Sequence, residues 1–126
     1  MANDQLLFVG QKAFIDKDGQ ILVLTDPQLG VDLPGGKIKE GEADLAEALK
    51  REVKEESNIK LNNIKFIGKE ICTMVYRQKP MKSNVYFFIA DTDVDLRQIK
   101  LTEGQKVAYY SLSKLLKLNV GNWLRH

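Results

Sequence analysis

One stretch, residues 35–59, constrains the fold of this chain more than any other. Its sequence, GGKIKEGEADLAEALKREVKEESNI, predicts a glycine-rich loop that leads into an amphipathic helix. The apolar residues Leu45, Leu49 and Val53 recur every four positions, which places them along one face of that helix. We therefore expect this helix to pack its apolar face on a sheet.

The ends of the predicted helix carry local signals of their own. Asp44 is a plausible N-cap, and Glu47 follows three residues later, as in a capping box. Asn58 is the predicted stop, because asparagine tolerates the left-handed conformation that ends many helices. The helix is thus expected to run from about Asp44 to about Ser57.

Three glutamates, Glu52, Glu55 and Glu56, lie near the end of the predicted helix. Their i, i+3, i+4 spacing brings them onto one turn, where like charges destabilise a helix. At ~4 Å two such charges repel by about 1 kcal/mol in water and about 4 kcal/mol near a protein surface. A bound cation would relieve this repulsion, and oxygen ligands favour Mg²⁺, Mn²⁺ or Ca²⁺. The alternative is a solvated acidic face beside the basic residues of the same helix.

The same stretch resembles the signature of the Nudix hydrolases, G-x5-E-x7-R-E-U-x-E-E-x-G-U, in which U is an aliphatic residue. The matching residues are Gly36, Glu42, Arg51, Glu52, Val53, Glu55, Glu56 and Ile59. The chain departs from the pattern twice. Eight residues separate Glu42 from Arg51 instead of seven, and Asn58 stands at the glycine position.

The order of the predicted elements favours an α/β fold. Strands are expected before and after the helix, which indicates a mixed sheet covered by helices. The strands are expected at residues 6–15, 21–24, 64–75, 85–90 and 107–110, and short helices at 111–116 and 120–125. The Nudix resemblance implies the same class, an α/β/α sandwich with a mixed β-sheet and a loop-helix-loop signature. With 126 residues, the chain is expected to form a single domain, 1–126.

Composition excludes several classes of function and partner. The chain has 19 basic and 17 acidic residues, so a nucleic-acid partner is not expected. It has no apolar leader and no long apolar span, so no membrane association is expected. Cys72 is the one cysteine, which fits a cytoplasmic location without disulfides, and the one histidine, His126, is the last residue. A catalytic triad with histidine is therefore not expected, and a homodimer is left open.

The resemblance implies a role for each matched residue. The expected ligands of a Mg²⁺ ion, or of Mn²⁺ instead, are Gly36, Glu52, Glu55 and Glu56. Arg51 is expected to orient a glutamate of the signature such as Glu42, the alternative being an ordinary surface ion pair. Glu103 is a further candidate, because the family often supplies another carboxylate, as metal ligand or base, from a loop before a strand. The expected catalytic residues are Glu52, Glu55, Glu56, Arg51 and Glu103.

The implied reaction is hydrolysis of a pyrophosphate bond in a nucleoside diphosphate linked to another group. A nucleoside triphosphate cleaved to monophosphate and pyrophosphate is the leading form. Nucleotide sugars, dinucleoside polyphosphates and a non-catalytic nucleotide-binding module of the same fold are the alternatives. Tyr76, Arg77 and Lys37 are the candidates for binding the substrate, although an aromatic or basic residue alone is more often part of the core or surface.

Overall fold

The computed structural model describes residues 7–27, 30–76 and 79–117. In this part of the chain, seven strands form one sheet and two α-helices are present. The strands are β1 (Phe8–Lys17), β2 (Gln20–Asp26), β3 (Gly30–Asp32), β4 (Gly35–Lys37), β5 (Asn62–Tyr76), β6 (Lys79–Asp91) and β7 (Lys106–Tyr110). The helices are α1 (Leu45–Ser57) and α2 (Leu112–Lys117), and a 3₁₀ turn covers Leu96–Gln98.

The sheet is mixed, as the sequence predicts. Its strand order is β3-β2-β1-β6-β5, with β4 also paired to β1 and β7 also paired to β2. β1 and β6 are parallel over nine residue pairs, from Phe8–Ser83 to Asp16–Asp91, and the other pairs are antiparallel. The strand β6, which includes the predicted strand 85–90, therefore lies between β1 and β5.

The first two strands form a hairpin. Ile15 lies opposite Leu22, and the turn between the strands uses Asp18 and Gly19, both with positive φ. The side chain of Asp16 accepts a hydrogen bond from the backbone N–H of Gly19 at 3.0 Å. The turn residues thus set the register that brings β1 beside β2.

Helix α1 begins and ends where its capping signals predict. The carboxylate of Asp44 accepts a hydrogen bond from the backbone N–H of Glu47 at 3.2 Å. Asn58 has the left-handed conformation, with φ of 60°, and its N–H donates to the carbonyl of Lys54 at 2.9 Å. Both ends of α1 are therefore fixed locally, which determines where the glutamates near its end lie.

The two helices cover opposite faces of the sheet. Leu49 and Val53 of α1 pack against Ala13, Ile15 and Phe88. On the other face, Leu115 of α2 packs in a second cluster with Val23, Leu33, Val85 and Phe87. Because neighbouring residues of a strand point to opposite faces, the two clusters are separated by the sheet. The result is the α/β/α sandwich expected from the resemblance.

One short strand differs from the sequence prediction. Residues 35–37 are predicted as part of a loop, but they form β4, in which Gly36 lies opposite Gln11 of β1. The close approach requires glycine, because a Cβ on Gly35 would collide with the backbone carbonyl oxygen of Gln11. Gly35 also has φ of +149°, which side chains rarely allow. The predicted helix at 120–125 lies outside the described residues.

Candidate active site

Gly36 and helix α1 together determine the position of Glu52. A Cβ built on Gly36 would lie 2.6 Å from Oε1 of Glu52 and 3.0 Å from its Cδ. The carboxylate therefore occupies the space that a side chain at residue 36 would need. Only 12% of the Glu52 side chain is exposed, so its oxygens lie in a partly enclosed place between α1 and β4.

Arg51 connects three of the glutamates of this region. Its Nε and Nη2 atoms form a two-pronged ion pair with Glu42, with distances of 2.7 and 2.8 Å. Its Nη1 atom donates to Glu52 at 3.0 Å and to Glu55 at 2.8 Å. The hydrogen bond to Glu42 is the largest cause that raises the pKa of Arg51, so the guanidinium stays charged. The pairing of Arg51 with Glu42 that the resemblance suggests is present.

Glu42 reaches Arg51 in spite of the extra residue in the signature. It closes a turn with Lys39, whose backbone N–H donates to Oε1 of Glu42 at 2.8 Å. The hydrogen bond from Arg51 lowers the pKa of Glu42 most, and the N–H of Lys39 lowers it further. Because Glu42 belongs to this turn and α1 begins only at Leu45, the loop accommodates the extra residue before the helix.

Glu52 and Glu56 lie side by side at the end of α1. The pKa of Glu56 is raised to about 7, first because its carboxyl group is partly withdrawn from water, and then by a hydrogen bond with Glu52 and by the charge of Glu52. The charge of Lys12 opposes this shift, and that of Asp32 adds to it. The influence of Glu52 on Glu56 agrees with the repulsion that their i, i+4 spacing predicts.

Glu55 is paired with basic side chains. Its side chain is 53% exposed, and its carboxylate contacts Arg51 at 2.8 Å and Lys39 at 3.6 Å. In residues 7–27, 30–76 and 79–117, no three acidic, histidine or cysteine side chains converge as a ready metal site. The structure thus brings together Glu52 and Glu56 of the three predicted carboxylate ligands, and it leaves Glu55 paired with cations.

The residues present fit a hard divalent ion. All of the candidate donors are oxygens, which is the set that Mg²⁺ and Mn²⁺ prefer. Glu52 and Glu56 hold two carboxyl groups close together, and the charge of Glu52 helps to raise the pKa of Glu56. A divalent ion could offset that charge, and Gly36 leaves room for the backbone to approach Glu52. The site would gain a third carboxylate if Glu55 exchanged its cationic partners for the ion.

A cleft of about 410 Å³ adjoins the carboxylates. Its polar lining consists mainly of Asp32, Glu55, Glu56, Lys100, Thr102 and Gln105. Such a volume is within the range of small-molecule sites. The sequence prediction includes Glu55 and Glu56 but none of the other four, because no motif identifies them.

Asp32, which lines the cleft, belongs to a partly buried ion pair that the prediction also missed. Lys12 is only 3% exposed, and its Nζ donates to Asp32 and to the carbonyl oxygen of Leu33, both at 3.0 Å. Its neighbour Gln11 is fully buried, with no hydrogen-bond partner for either side-chain polar atom among the described residues. The sequence does contain a signal for them, because Gln11 and Lys12 are two polar residues within a mostly apolar part of β1.

The remaining predicted site residues lie farther out or outside the described part of the chain. Glu103 is exposed in the loop between Thr102 and Gln105. The Nζ of Lys37 lies over the ring of Phe8, 4.4 Å from its centroid. Tyr76 ends β5, but its side chain is outside the described residues, and Arg77 is wholly outside them. The roles of these residues in catalysis or substrate binding stay predictions.

No helix in the described ranges has both the length and the apolar composition that crossing a membrane requires.

Comparison with known proteins agrees with this fold. The crystal structure of the mutator protein MutT from Bacillus halodurans is 24% identical, has a TM-score of 0.69, and aligns over 89% of this chain and 73% of that one. A Nudix hydrolase from Nitrosomonas europaea is 20% identical, with a TM-score of 0.66 and coverage of 88% and 76%. A UDP-X diphosphatase is 16% identical, with a TM-score of 0.58 and coverage of 89% and 54%. At these identities the likeness shows the fold.

The family follows from the sequence itself. No curated protein matches the chain significantly. The model of the NUDIX domain, however, matches residues 11–126, which include the whole signature and nearly all of the strands described above. The chain belongs to the Nudix family of pyrophosphohydrolases, enzymes that generally use a divalent metal ion and act on nucleoside diphosphate derivatives.

Proposed function

We propose that this enzyme is a Mg²⁺-dependent hydrolase of a free nucleotide, and that it cleaves a nucleoside triphosphate to monophosphate and pyrophosphate. The observation that carries the proposal is the contact between Glu52 and Glu56 beside Gly36, next to a cleft large enough for a nucleotide. Mn²⁺ is an alternative ion. We further propose a cytoplasmic location and no nucleic-acid partner, and we leave a homodimer open.

The proposed ligands are Glu52, Glu56 and Glu55, with the backbone carbonyl of Gly36. When bound, a divalent ion offsets phosphate charge and lowers the pKa of water that it holds. The residues of the chain supply the rest, since phosphoryl transfer depends mainly on positioning and electrostatic stabilisation. Glu52 is suited to this because Gly36 and Arg51 restrain its carboxylate from two sides.

Arg51 is proposed as a positioning residue. Its planar guanidinium binds Glu42 with two hydrogen bonds and Glu52 with a third, so it fixes the loop before α1 against the acidic end of the helix. It also supplies a permanent positive charge beside a crowded set of carboxylates. Its contact with Glu55 keeps that side chain nearby in the absence of an ion.

Glu103 is proposed as the further carboxylate, as ligand or as the base that takes a proton from the attacking water. Its position between two cleft-lining residues supports this role. Lys37, Tyr76 and Arg77 are retained as candidates for binding the substrate. The exposed ring of Phe8 beneath Lys37 would give that lysine an aromatic neighbour in such a role.

The replacement Glu56→Gln tests the proposed function. It keeps the shape of the side chain and removes one charge that the ion needs, so we expect the rate to fall at least about 100-fold, the scale for losing one charge-stabilising group. The measurement is turnover with Mg²⁺ on nucleoside triphosphates, nucleotide sugars and dinucleoside polyphosphates, with the products identified by ³¹P NMR.

Glu47→Gln, an exposed residue in the first turn of α1, is the matched control and should retain the wild-type rate. If the folded wild-type protein turned over no diphosphate-linked substrate in the presence of Mg²⁺, the proposal would be wrong.

A non-catalytic nucleotide-binding module is the second candidate. The ion pairs of Glu55 with Arg51 and Lys39 favour it, because they occupy a carboxylate that a catalytic ion would need. Calorimetry separates the two functions. Tight nucleotide binding without any turnover would favour the module, whereas binding accompanied by release of cleavage products would favour the enzyme.

A further inference from the structure

The segment 98–105 is attached to the acidic end of α1. The backbone N–H of Lys100 donates to the carbonyl oxygen of Ser57 at 2.8 Å. The side chain of Asn58 donates to the carbonyl oxygen of Gln98 at 2.9 Å. Because Ser57 directly follows Glu56, these two bonds hold residue 100 close to the carboxylates of the cleft.

Among the described residues that line the cleft, Lys100 is the one cation. The other basic residues close to the carboxylates are already paired, Lys12 with Asp32 and Arg51 with glutamates. Within the described ranges, the ammonium group of Lys100 forms no ion pair or hydrogen bond. The cleft therefore holds an unpaired positive charge beside its acidic residues.

Gln105 offers a second donor with a fixed orientation. Its side-chain oxygen accepts from the backbone N–H of Thr102 at 3.2 Å and from the hydroxyl of Thr102 at 3.3 Å. The backbone N–H of Gln105 donates in turn to the carbonyl oxygen of Thr102 at 3.0 Å. The two bonds that the side-chain oxygen accepts place it on the side of Thr102, so the NH₂ group must occupy the other side. It has no partner among the described residues.

We propose that Lys100 and Gln105 bind phosphate oxygens of the substrate's pyrophosphate group. The inference rests on the proposed function for the identity of the substrate class. A pyrophosphate that enters this cleft meets the acidic residues Asp32, Glu55 and Glu56. A divalent ion offsets part of that repulsion, and the two donors bind oxygens that the ion leaves free. The backbone of Lys100 and the side-chain amide of Gln105 are held before the substrate arrives, which lowers the entropy lost on binding.

The proposal predicts a specific dependence of phosphate binding on these two residues. The probe is methylenediphosphonate, whose P–C–P link cannot be hydrolysed, titrated into the protein with Mg²⁺ and followed by calorimetry. Lys100→Met removes the charge and should weaken binding about tenfold to a hundredfold, the range for a hydrogen bond to a charged group. Lys100→Arg keeps the charge and should bind within about threefold of wild type.

Gln105→Glu is the sharper test of the amide. Glutamate keeps an oxygen acceptor for Thr102 and replaces the NH₂ donor with a negatively charged oxygen. We expect it to weaken binding at least about tenfold. Matched controls are Lys65→Met, which removes a charge from the exposed part of β5, and Gln98→Glu, which adds a charge on the same segment outside the cleft lining. Both should bind the probe as wild type does.

Two further measurements make each outcome decisive. Thermal unfolding shows whether each variant is folded, and Lys100→Gln replaces Lys100→Met if the latter is unstable. Titration with Mg²⁺ alone shows whether the ion still binds. Wild-type affinity in both Lys100→Met and Gln105→Glu, or no binding of the probe to the wild-type protein, would overturn the inference. If the wild-type protein hydrolysed no nucleotide but bound methylenediphosphonate, and Lys100→Met weakened that binding, the proposed function would be rejected and this inference would stand.

Discussion

At the scale of single residues, the missing side chain of Gly36 determines where the carboxylate of Glu52 can lie. Gly36→Ala would place a Cβ 2.6 Å from Oε1 of Glu52, so the carboxylate must move. Since a displacement of about 1 Å in an active site can cost about 100-fold, we expect a rate loss of about that size. Steady-state kinetics with the best substrate of the panel is the measurement.

Gly35→Ala is the comparison for that variant. Its Cβ would meet the backbone of β1 instead of a movable side chain, so it should lower the free energy of unfolding and prevent β4 from pairing. Gly36→Ala should stay folded. If Gly36→Ala retained full activity, Glu52 would not need the position that the structure gives it.

Gln11 is a second residue whose environment makes a clear prediction. Its amide is fully buried without a hydrogen-bond partner among the described residues, and an unsatisfied buried polar group costs about 1–3 kcal/mol. Gln11→Met keeps the length and removes the amide, so the free energy of unfolding should rise by about that amount. Denaturant unfolding measures it. Lys12→Met, which breaks an ion pair, should lower the same quantity, and a destabilised Gln11→Met would contradict the prediction.

At the scale of elements, the turn at residues 39–42 and helix α1 are joined through Glu42 and Arg51. The pKa of Glu42 in the folded protein is lower than its ordinary value of 4.5, mainly because of the hydrogen bond from Arg51. A carboxyl group with a lowered pKa stabilises the folded protein at pH values above its ordinary pKa. That stabilisation is lost as the pH falls through the pKa of the group in the folded protein. Glu42→Gln should therefore lower the free energy of unfolding near neutral pH and change it less in acid.

The check is denaturant unfolding of wild type and Glu42→Gln over a range of pH from 7 to about 3, which brackets the ordinary carboxyl pKa. Glu40→Gln, in the same exposed turn, is the control and should follow wild type at every pH. A difference between wild type and Glu42→Gln that stayed constant or grew in acid would show that the ion pair does not stabilise the fold.

The elements that could be predicted from the sequence are those with local signals. Helix α1 has a capping residue, an apolar face and a left-handed stop, and the β1–β2 hairpin has its Asp-Gly turn. Strand β4 could not be predicted, because three residues of sequence GGK carry no alternation. It forms only because β1 lies beside it, with Gly10 opposite Lys37. Such a long-range contact leaves no periodic pattern in either segment.

At the scale of the whole molecule, the candidate site is assembled from separate parts of the chain. The mixed sheet brings β1 and β4 beneath α1, and the loop after the 3₁₀ turn reaches the end of the same helix. The signature residues could be predicted because they lie in one segment. Asp32, Lys100 and Gln105 could not, because only the fold brings them to the cleft, and the same holds for Lys12, which pairs with Asp32.

Titration with Mn²⁺, followed by electron paramagnetic resonance, tests most directly whether the Glu52–Glu56 pair is a metal site. Loss of an outer partner alone costs about 10–100-fold in metal affinity, so Glu56→Gln, which removes a proposed ligand, should bind Mn²⁺ at least about tenfold more weakly. Glu47→Gln should bind as wild type does. Equal Mn²⁺ affinity in wild type and folded Glu56→Gln would contradict the assignment of this pair as the site of the catalytic ion.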